Sequence, residues 1–362
     1  MKHKKVKLPQ DNLPHDSIIE WWYFNGHLKD KQGHNYAFMN CLFKADIRKV
    51  NIPFLNKLPF KKNYSSWPYV YFAHAIISDI SQQKSHQDIQ LMSWVSGDSF
   101  TKDLLFINYT DLLSAYNYIN NEITEITPGN FHLKNKNIDL QLKARKKPLL
   151  EGGSGFVTIS QHQTYYYSLT DLDTKGSILI NGKWLKVTGK SWLDHQWADV
   201  PYQKNKWSWF SLQLDNKTEI VCVEYSDGKN NDYFADVIDK NGKSSHHRQI
   251  KLTPQNNIWT SSKTKAEYPL IWNLEIPEKK IKLSIKSIAP EQEIIFGSIN
   301  YFEGPTKISG TINKKKVQGL GFMELVGYPS DYNYLLLIGR GINKKIRNRI
   351  AVKLNKIKQK IK

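Results

Sequence analysis

The stretch that decides the fold is WWYFNGHL at residues 21–28, because a closely similar stretch, WSWFSLQL, follows at residues 207–214. Both read tryptophan, any residue, aromatic, phenylalanine, polar, any residue, polar, leucine. Each is followed by a turn and by an apolar segment that carries a cysteine. Runs of aromatic residues favour strands that are covered on both faces. The sequence therefore predicts two copies of one unit, each opening with an aromatic strand.

A second pair of similar segments supports this duplication. Residues 187–194 read VTGKSWLD and residues 317–324 read VQGLGFME, so both follow the order valine, any, glycine, any, any, aromatic, long apolar, acid. Each half then closes with a strand that carries an acid, Asp194 in the first half and Glu324 in the second. Two tandem antiparallel barrels account for both repeats, and an eight-stranded barrel has room for one small apolar ligand.

The remaining segments fit the same class. Residues 131–144 and 272–285 alternate apolar and polar side chains with a period of two, which is typical of half-buried strands. Residues 103–118 could contain a short helix, and the glycines at 152–155 indicate a turn, because no Lys-Ser/Thr pair follows them as in a phosphate loop. The predicted class is all-β, with two tandem lipocalin-like antiparallel β-barrels and a basic C-terminal helix. We place a basic arm at residues 1–14, the barrels at 15–198 and 199–340, and an amphipathic tail at 341–362.

Charge and composition exclude several classes of protein. The chain has 362 residues and a formal charge of +19, but 14 positive charges lie at residues 2–7 and 340–362. The body is only mildly basic, so we expect no nucleic-acid partner. The two cysteines are isolated in the sequence and predict neither a disulfide framework nor a zinc site. Without a secretory leader or a membrane-spanning run, we expect a cytoplasmic protein, either free or at the membrane periphery.

The C-terminal tail has a pattern of its own. Ile346, Ile350, Leu354, Ile357 and Ile361 fall on one helical face, with lysines and arginines on the others. A basic amphipathic helix is typical of an anchor on an anionic membrane surface. Docking against the barrels, or a frayed and solvated end, are equally consistent with the pattern.

Several ordered motifs resemble those of the AttH-like lipocalin family, which includes carotenoid 1,2-hydratase. The resemblance covers about residues 13–338. It rests on the motifs PHD (14–16), EWWY (20–23), GHL (26–28), HA (74–75), YYS (166–168), WLDH (192–195), WSWF (207–210), YP (268–269), YFEG (301–304) and GFMEL (321–325). This resemblance implies two lipocalin-like barrels and an apolar ligand such as an isoprenoid, polyene or lipid. It does not imply a single activity, since relatives include hydratases of isoprenoid chains and pericyclase-type enzymes.

The stretch SWLDHQW at residues 191–197 is the predicted centre of chemistry. Hydration of an alkene needs a strong acid, and a carboxyl group among apolar side chains keeps its proton. We expect Asp194 to be this acid, His195 to orient it or handle water, and Glu324 to be its repeat partner. The alternative is that Asp194 and Glu324 each bind backbone groups where a barrel closes. A lipid carrier without catalysis is the competing function.

Aromatic and polar residues of the motifs complete the predicted site. The predicted ligand-binding residues are Glu20, Trp22, Tyr23, His27, His74, Trp197, Trp207, Trp209 and Tyr301. Taken singly, the tryptophans are as well explained by a core, and the histidines by buried neutral rings with one or two hydrogen bonds. A metal bound by His27, His74, His195 and Asp194 is conceivable, but their spacing is not diagnostic. We expect neither a metal nor a cofactor.

Overall fold

The computed structural model describes residues 4–49, 69–111, 120–160, 162–199, 205–296 and 299–331. Regular structure within these ranges consists of strands and three 3-10 turns, at Gln10–Asn12, Glu151–Gly153 and Pro277–Lys279, with no α-helix. The all-β prediction is confirmed. Residues 103–118 were expected to hold a short helix, but their described part contains a strand, Phe106–Asp111. The predicted basic helix at 341–362 lies outside the described residues.

The first sheet has thirteen strands. They are β1 (Ile19–Asp30), β2 (Asn35–Asp46), β3 (Tyr69–Asp79), β4 (Lys84–Gln90), β5 (Ser93–Val95), β6 (Phe106–Asp111), β7 (Asn120–Thr127), β8 (Asn130–Lys134), β9 (Ile138–Ala144), β10 (Leu149–Leu150), β11 (Phe156–Ile159), β12 (His162–Ile180) and β13 (Lys183–Ala198). Hydrogen bonding orders them β4-β3-β2-β1-β13-β12-β9-β8-β7-β6-β5, with β10 and β11 on β12. Because β5 also lies against β3, the sheet curls into a nearly closed antiparallel barrel.

The second sheet has ten strands and a smaller ribbon beside it. The strands of this half are β14 (Lys206–Leu214), β15 (Glu219–Ser226), β16 (Asn231–Ile238), β17 (Ser244–His247), β18 (Lys251–Pro254), β19 (Ile258–Thr260), β20 (Glu267–Pro269), β21 (Ile271–Ile276), β22 (Ile281–Ser287), β23 (Glu293–Phe296), β24 (Ile299–Ile312) and β25 (Lys315–Val326). The order is β17-β16-β15-β14-β25-β24-β22-β21-β18, with β23 on β24, while β19 and β20 pair only with each other.

The strand registers confirm the duplication. Tyr23 of β1 stands opposite Asp194 of β13, and Trp209 of β14 stands opposite Glu324 of β25. These are the positions that the two sequence repeats align with one another. The glycines of the repeat have a steric reason: a Cβ on Gly189 would collide with a backbone carbonyl of the paired strand, and so would one on its counterpart in β25.

The two barrels pack outer face against outer face in a nearly twofold arrangement. His27 Nε2 donates to the Gly321 carbonyl at 2.9 Å, and Gln213 Nε2 donates to the Ser191 carbonyl at 3.0 Å. His27 and Gln213 occupy equivalent repeat positions, and so do Gly321 and Ser191. Equivalent strands of the two repeats therefore hold the barrels together: β1 bonds to β25, and β14 bonds to β13.

Four apolar clusters are present among the described residues, and the smallest lies around Phe72 and Phe296. One fills the first barrel and includes Trp22, Phe24 and Leu193, and a second fills the other barrel around Phe210 and Trp272. A third lies between the barrels and takes side chains from both sheets. The expectation of a ligand inside a barrel finds no support in the described residues, because large side chains pack the interior of each barrel. Space for a small molecule is found between the barrels.

The start of the described chain belongs to the first barrel rather than forming a free basic arm. Val6 is buried in the first barrel's cluster, and its N–H bonds to the Ser154 carbonyl at 2.9 Å. Asn12 is buried and binds Glu125, while its backbone carbonyl accepts the indole N–H of Trp22 at 3.1 Å. This segment covers one end of the barrel. In the described part of the chain, no helix has the length and apolarity to span a bilayer.

Candidate active site

Asp194 and His195 are neighbours in the sequence but lie on opposite faces of β13, because successive side chains of a strand alternate. Asp194 reaches the cleft between the barrels, and His195 reaches the interior of the first barrel. The described partners of His195 are Glu20 and the surrounding rings, so the expected assistance of Asp194 by His195 is wrong. The predicted site residues therefore divide between two places.

The cleft is a cavity of about 230 Å³ whose wall is mostly apolar and aromatic. Both barrels contribute to it, chiefly through β1, β2, β12 and β13 on one side and β14, β15 and β25 on the other. Its lining includes Trp21, Tyr23, Cys41, Phe43, Tyr166, Asp194, Trp207, Trp209, Tyr225, Phe234 and Glu324. Tyr23 and Trp209, which are equivalent in the two repeats, meet edge to face with ring centroids 5.3 Å apart. The duplication thus puts an aromatic side chain at the equivalent position of each wall of the cleft.

Asp194 accepts three hydrogen bonds in the cleft wall. Ser168 Oγ and Trp192 Nε1 both donate to Oδ1 at 2.5 Å, and the Tyr166 hydroxyl donates to Oδ2 at 2.6 Å. Tyr166 in turn accepts the indole N–H of Trp209 at 2.9 Å, which links the carboxyl group to the second barrel. Burial raises the pKa of Asp194 to about 7, although the three donors oppose this rise. The group can therefore gain or lose a proton near neutral pH.

Glu303 and Glu324 form the second acidic feature, since they stand opposite each other on β24 and β25. Trp207 Nε1 donates to Glu324 Oε1 at 2.5 Å, and the Tyr23 hydroxyl donates to Glu303 Oε1 at 2.6 Å. Burial and the charge of Glu324 raise the pKa of Glu303 well above its ordinary range. Burial also raises the pKa of Glu324, against the hydrogen bond from Trp207. Glu303 is buried and Glu324 half-buried, and two such adjacent carboxyl groups cannot both ionise readily, so the pair retains at least one proton.

None of these three acids has a lysine or arginine partner within the described part of the chain. Glu303 was not among the predicted site residues. Its signal was present in the motif YFEG at 301–304, because alternation along a strand puts Glu303 on the same face as Tyr301.

A smaller chamber of about 90 Å³ adjoins the cleft and shares Ile19, Phe43, Trp207 and Glu324 with it. The rest of its wall is made of Phe72, His74, Phe296, Ile299, Tyr301 and Val326. His74 Nδ1 lies 2.5 Å from the Tyr301 hydroxyl, and burial lowers the pKa of His74 to about 3. This histidine is therefore neutral and adds a single polar pair to an apolar chamber.

The other predicted residues gather inside the first barrel around Glu20. Glu20 Oε1 lies 2.9 Å from both His15 Nδ1 and His195 Nε2, and Lys44 Nζ lies 3.2 Å from Oε2. Trp197 stacks on His15 at 3.7 Å between ring centroids. Burial alone would raise the pKa of Glu20, but its hydrogen bonds to the two histidines and the charges of His195 and Lys44 lower it to about 2.

Trp22 stacks on His195 with 4.8 Å between ring centroids and does not line the cleft. Together with Glu20, His195 and Trp197 it belongs to the interior of the first barrel. His27 joins the two barrels through its hydrogen bond to the Gly321 carbonyl. The cleft and its chamber thus bring together Asp194 and Glu324 with Tyr23, His74, Trp207, Trp209 and Tyr301.

The histidines considered for a metal do not converge with Asp194. Among the described residues, the grouping of three such side chains close enough for one ion is His15, Glu20 and His195. His15 lies in the segment that covers the barrel and was not considered in the sequence. In this cluster Lys44 already neutralises Glu20, and both histidines hydrogen-bond to the same carboxylate oxygen.

Comparison with known proteins identifies two relatives that act on small molecules. The chain is 26% identical over 202 residues to kievitone hydratase of Fusarium solani subsp. phaseoli, a match that covers 53% of this chain and 57% of that protein. It is 24% identical over 206 residues to dehydratase asqC of Emericella nidulans, covering 53% and 58%. The chain therefore spans little more than half the length of these curated relatives.

The fold has a known counterpart in the crystal structure of kievitone hydratase from Nectria haematococca. That structure superposes with a TM-score of 0.69 at 19% sequence identity and covers 89% of this chain and 93% of the other. At this identity the likeness establishes the fold alone. The AttH-like family model matches residues 1–328, which is most of the sequence. The protein therefore belongs to the AttH-like family.

Proposed function

We propose that the protein adds water to, or removes water from, a small apolar molecule held in the cleft between its barrels. The observation that carries this proposal is the set of buried carboxyl groups without cationic partners in an aromatic wall. Among these groups the pair Glu303 and Glu324 keeps protons at neutral pH, and protonation is the demanding step for an alkene or an alcohol. The hydratase and the dehydratase among the relatives support the same reaction class.

The acid in this proposal is Glu324. It is half-buried, lines both the cleft and the adjoining chamber, and stands opposite Glu303, and both carboxyl groups hold a proton before the reaction. In hydration, Glu324 gives its proton to one alkene carbon, and the π electrons form the new C–H bond. A cation is left on the other carbon. Glu303 then stabilises the ionised Glu324 by sharing the remaining proton.

The base in this proposal is Asp194, whereas the sequence suggested it as the acid. Three donors on its two oxygens stabilise the carboxylate form, and its pKa of about 7 allows it to take up and release a proton near neutral pH. Water attacks the cation with an oxygen lone pair, and Asp194 removes the extra proton to leave an alcohol. A proton from solvent restores Glu324 when the product leaves. Dehydration follows the same steps in reverse.

Aromatic faces suit the cation between these two steps. Trp21, Trp207 and Trp209 line the cleft, and an indole face attracts a nearby cation by about 0.5–2 kcal/mol. The mostly apolar wall limits the number of competing waters. The same wall fits a hydrophobic ligand such as an isoprenoid, polyene or lipid. Association with a membrane through residues 341–362, and a cytoplasmic location, remain predictions from the sequence.

The test is incubation of the protein with kievitone, and with a panel of apolar alkenes and tertiary alcohols, in water enriched in oxygen-18. Mass spectrometry should detect a product that has gained one labelled water, or lost one water. Glu324→Gln should abolish the product, while the matched control Glu275→Gln, a partly exposed acid on the second barrel that does not line the cleft, should leave it unchanged. Binding of these compounds without any product would support the lipid carrier and contradict the enzyme.

A further inference from the structure

Ser168 lies between two buried carboxyl groups. Its Oγ is 2.5 Å from Asp194 Oδ1 and 2.6 Å from Glu151 Oε1, and all three side chains are buried. A serine hydroxyl has one proton and can donate to only one of these oxygens. The other short oxygen–oxygen contact needs a proton from the carboxyl group itself. One of the two acids is therefore a carboxylic acid that donates to Ser168.

Glu151 is the acid that fits this requirement. Asp194 already accepts from Trp192 and Tyr166, which stabilises its ionised form. Glu151 is fully buried, and its Oε2 has no hydrogen-bond partner among the residues that the structure describes. Burial, followed by the charge of Asp236, raises the pKa of Glu151 well above its ordinary range. The hydrogen bonds therefore run from Glu151 to Ser168 and from Ser168 to Asp194.

Beyond Glu151 the polar groups continue to the protein surface through the second barrel. Asp236 of β16 accepts the backbone N–H of Gly152 at 3.2 Å, so it lies beside the turn that carries Glu151. Both of its carboxyl oxygens lie 3.0 Å from His246 Nδ1 on β17. The His246 side chain is 27% exposed, whereas that of Asp236 is 1% exposed. Ser168, Glu151, Asp236 and His246 therefore lie in this order between Asp194 and solvent.

We propose that Ser168 and Glu151 form a proton relay that connects Asp194 to Asp236 and His246 at the surface. The inference rests on the proposed function, in which Asp194 gains a proton from water in each hydration cycle. Glu151 first releases its own proton through Asp236 and His246 to solvent. Ser168 then gives its hydroxyl proton to the ionised Glu151 and takes the proton of Asp194 in exchange. One proton enters the relay and one leaves it, and Asp194 is again ionised.

The protonation of Glu151 is tested without any substrate, by infrared difference spectroscopy of the intact protein at neutral pH. Glu151→Gln should remove the carbonyl stretch of a protonated carboxylic acid, and Ser168→Ala should shift that band because it loses a hydrogen-bond acceptor. An unchanged spectrum in Glu151→Gln would mean that Glu151 is ionised, and the relay would be refuted. This result stands whether or not a substrate is found.

The transfer step is tested at the surface, where a substitution is least harmful to folding. His246→Gln should lower kcat about 10-fold in weakly buffered solution, less than the full contribution of a general base, and leave KM unchanged. Added imidazole should restore kcat, because a small base can replace the missing ring. The control is His132→Gln, since His132 is also 27% exposed and pairs with an aspartate on the first barrel.

Loss of kcat in His246→Gln without rescue by imidazole, or full kcat in Ser168→Ala, would overturn the relay. If the wild-type protein converts no compound, the proposed function has failed. The infrared measurement then decides separately whether Glu151 holds the proton.

Discussion

Two regions of the molecule contain buried acids, and their surroundings shift the pKa values of these acids in opposite directions. Inside the first barrel, Glu20 contacts Lys44 and two histidines, and its pKa falls to about 2. In the cleft, Asp194 and the pair Glu303 and Glu324 have neither lysine nor arginine beside them among the described residues, and their pKa values rise. Strand β13 forms part of the wall between the two regions, and its successive side chains face the barrel interior and the cleft in turn.

The difference teaches how to separate a structural acid from a reactive one. A buried carboxylate with a cation and hydrogen-bond donors is ionised at every physiological pH and cannot deliver a proton. A buried carboxyl group without a cation keeps its proton and can deliver it. Burial is similar in both regions, so the neighbouring charge decides the outcome. The predictions below change the acids of one region at a time, in order of decreasing expected effect.

The largest effect is expected from the base in the cleft. Asp194→Asn should lower kcat by about 10²- to 10⁴-fold, the range typical of a lost general base. In the wild type, activity should rise with pH through about 7, as Asp194 loses its proton, and fall once the Glu303 and Glu324 pair is deprotonated. The variant should lose the rising limb. The control is Asp139→Asn, at a partly exposed position on β9. If Asp194→Asn retains the rising limb, that limb belongs to a group other than Asp194.

The next effect concerns stability and the first barrel. Glu20→Gln leaves the buried charge of Lys44 without its partner and should lower the free energy of unfolding by about 3–5 kcal/mol at pH 7. Because the pKa of Glu20 is lowered from 4.5 to about 2, its stabilisation is complete above pH 4.5 and declines as the pH falls towards 2. Urea unfolding across this window should show the decline in the wild type but not in the variant. Equal curves would contradict the ion pair.

A glutamate-to-glutamine substitution in the cleft should change the free energy of unfolding in the opposite direction. Glu303 has a raised pKa, so the unfolded chain ionises first as the pH rises, and the wild type loses stability above pH 4.5. Glu303→Gln removes this loss and keeps an acceptor for Tyr23, so it should stabilise the protein at pH 8 relative to the wild type. Thermal unfolding at pH 5 and pH 8 measures it. Destabilisation at pH 8 would mean that Glu303 is a paired carboxylate like Glu20.

The smallest effect is a shift within the cleft. The indole N–H of Trp207 stabilises the ionised form of Glu324. Trp207→Phe keeps an aromatic ring but removes this donor, so the pKa of Glu324 should rise and the falling limb of the activity profile should move to higher pH. Trp184→Phe, which is exposed, serves as the control. A falling limb that does not move would assign it to a group other than Glu324.

Much of the fold was predictable because it follows from repetition and alternation. The aromatic stretches at 21–28 and 207–214, and the acid-bearing segments at 187–194 and 317–324, predict the paired strands that the registers confirm. The location of the cleft was not predictable, since an aromatic strand that is covered on both faces gives no sign of which face meets a second barrel. The ligand was therefore placed inside a barrel.

The division of the predicted site has a similar cause. Asp194 and His195 are adjacent in the sequence, and adjacency suggested a catalytic pair, whereas strand alternation separates them. The partners that decide their chemistry are distant in the chain: Lys44 for Glu20, and Glu303 for Glu324. Glu151 and Ser168 gave no signal of their own, because their significance depends on two oxygen–oxygen contacts across strands.

The central claim is that the acids of the two regions differ in protonation at neutral pH, and it is tested most directly by carboxyl carbon-13 chemical shifts followed through a pH titration. Asp194→Asn and Glu20→Gln variants assign the two signals. We predict that Glu20 stays ionised down to about pH 2 and that Asp194 titrates near pH 7. Titration of both groups near pH 4 would contradict the account, because the cleft would then contain only ordinary carboxylates.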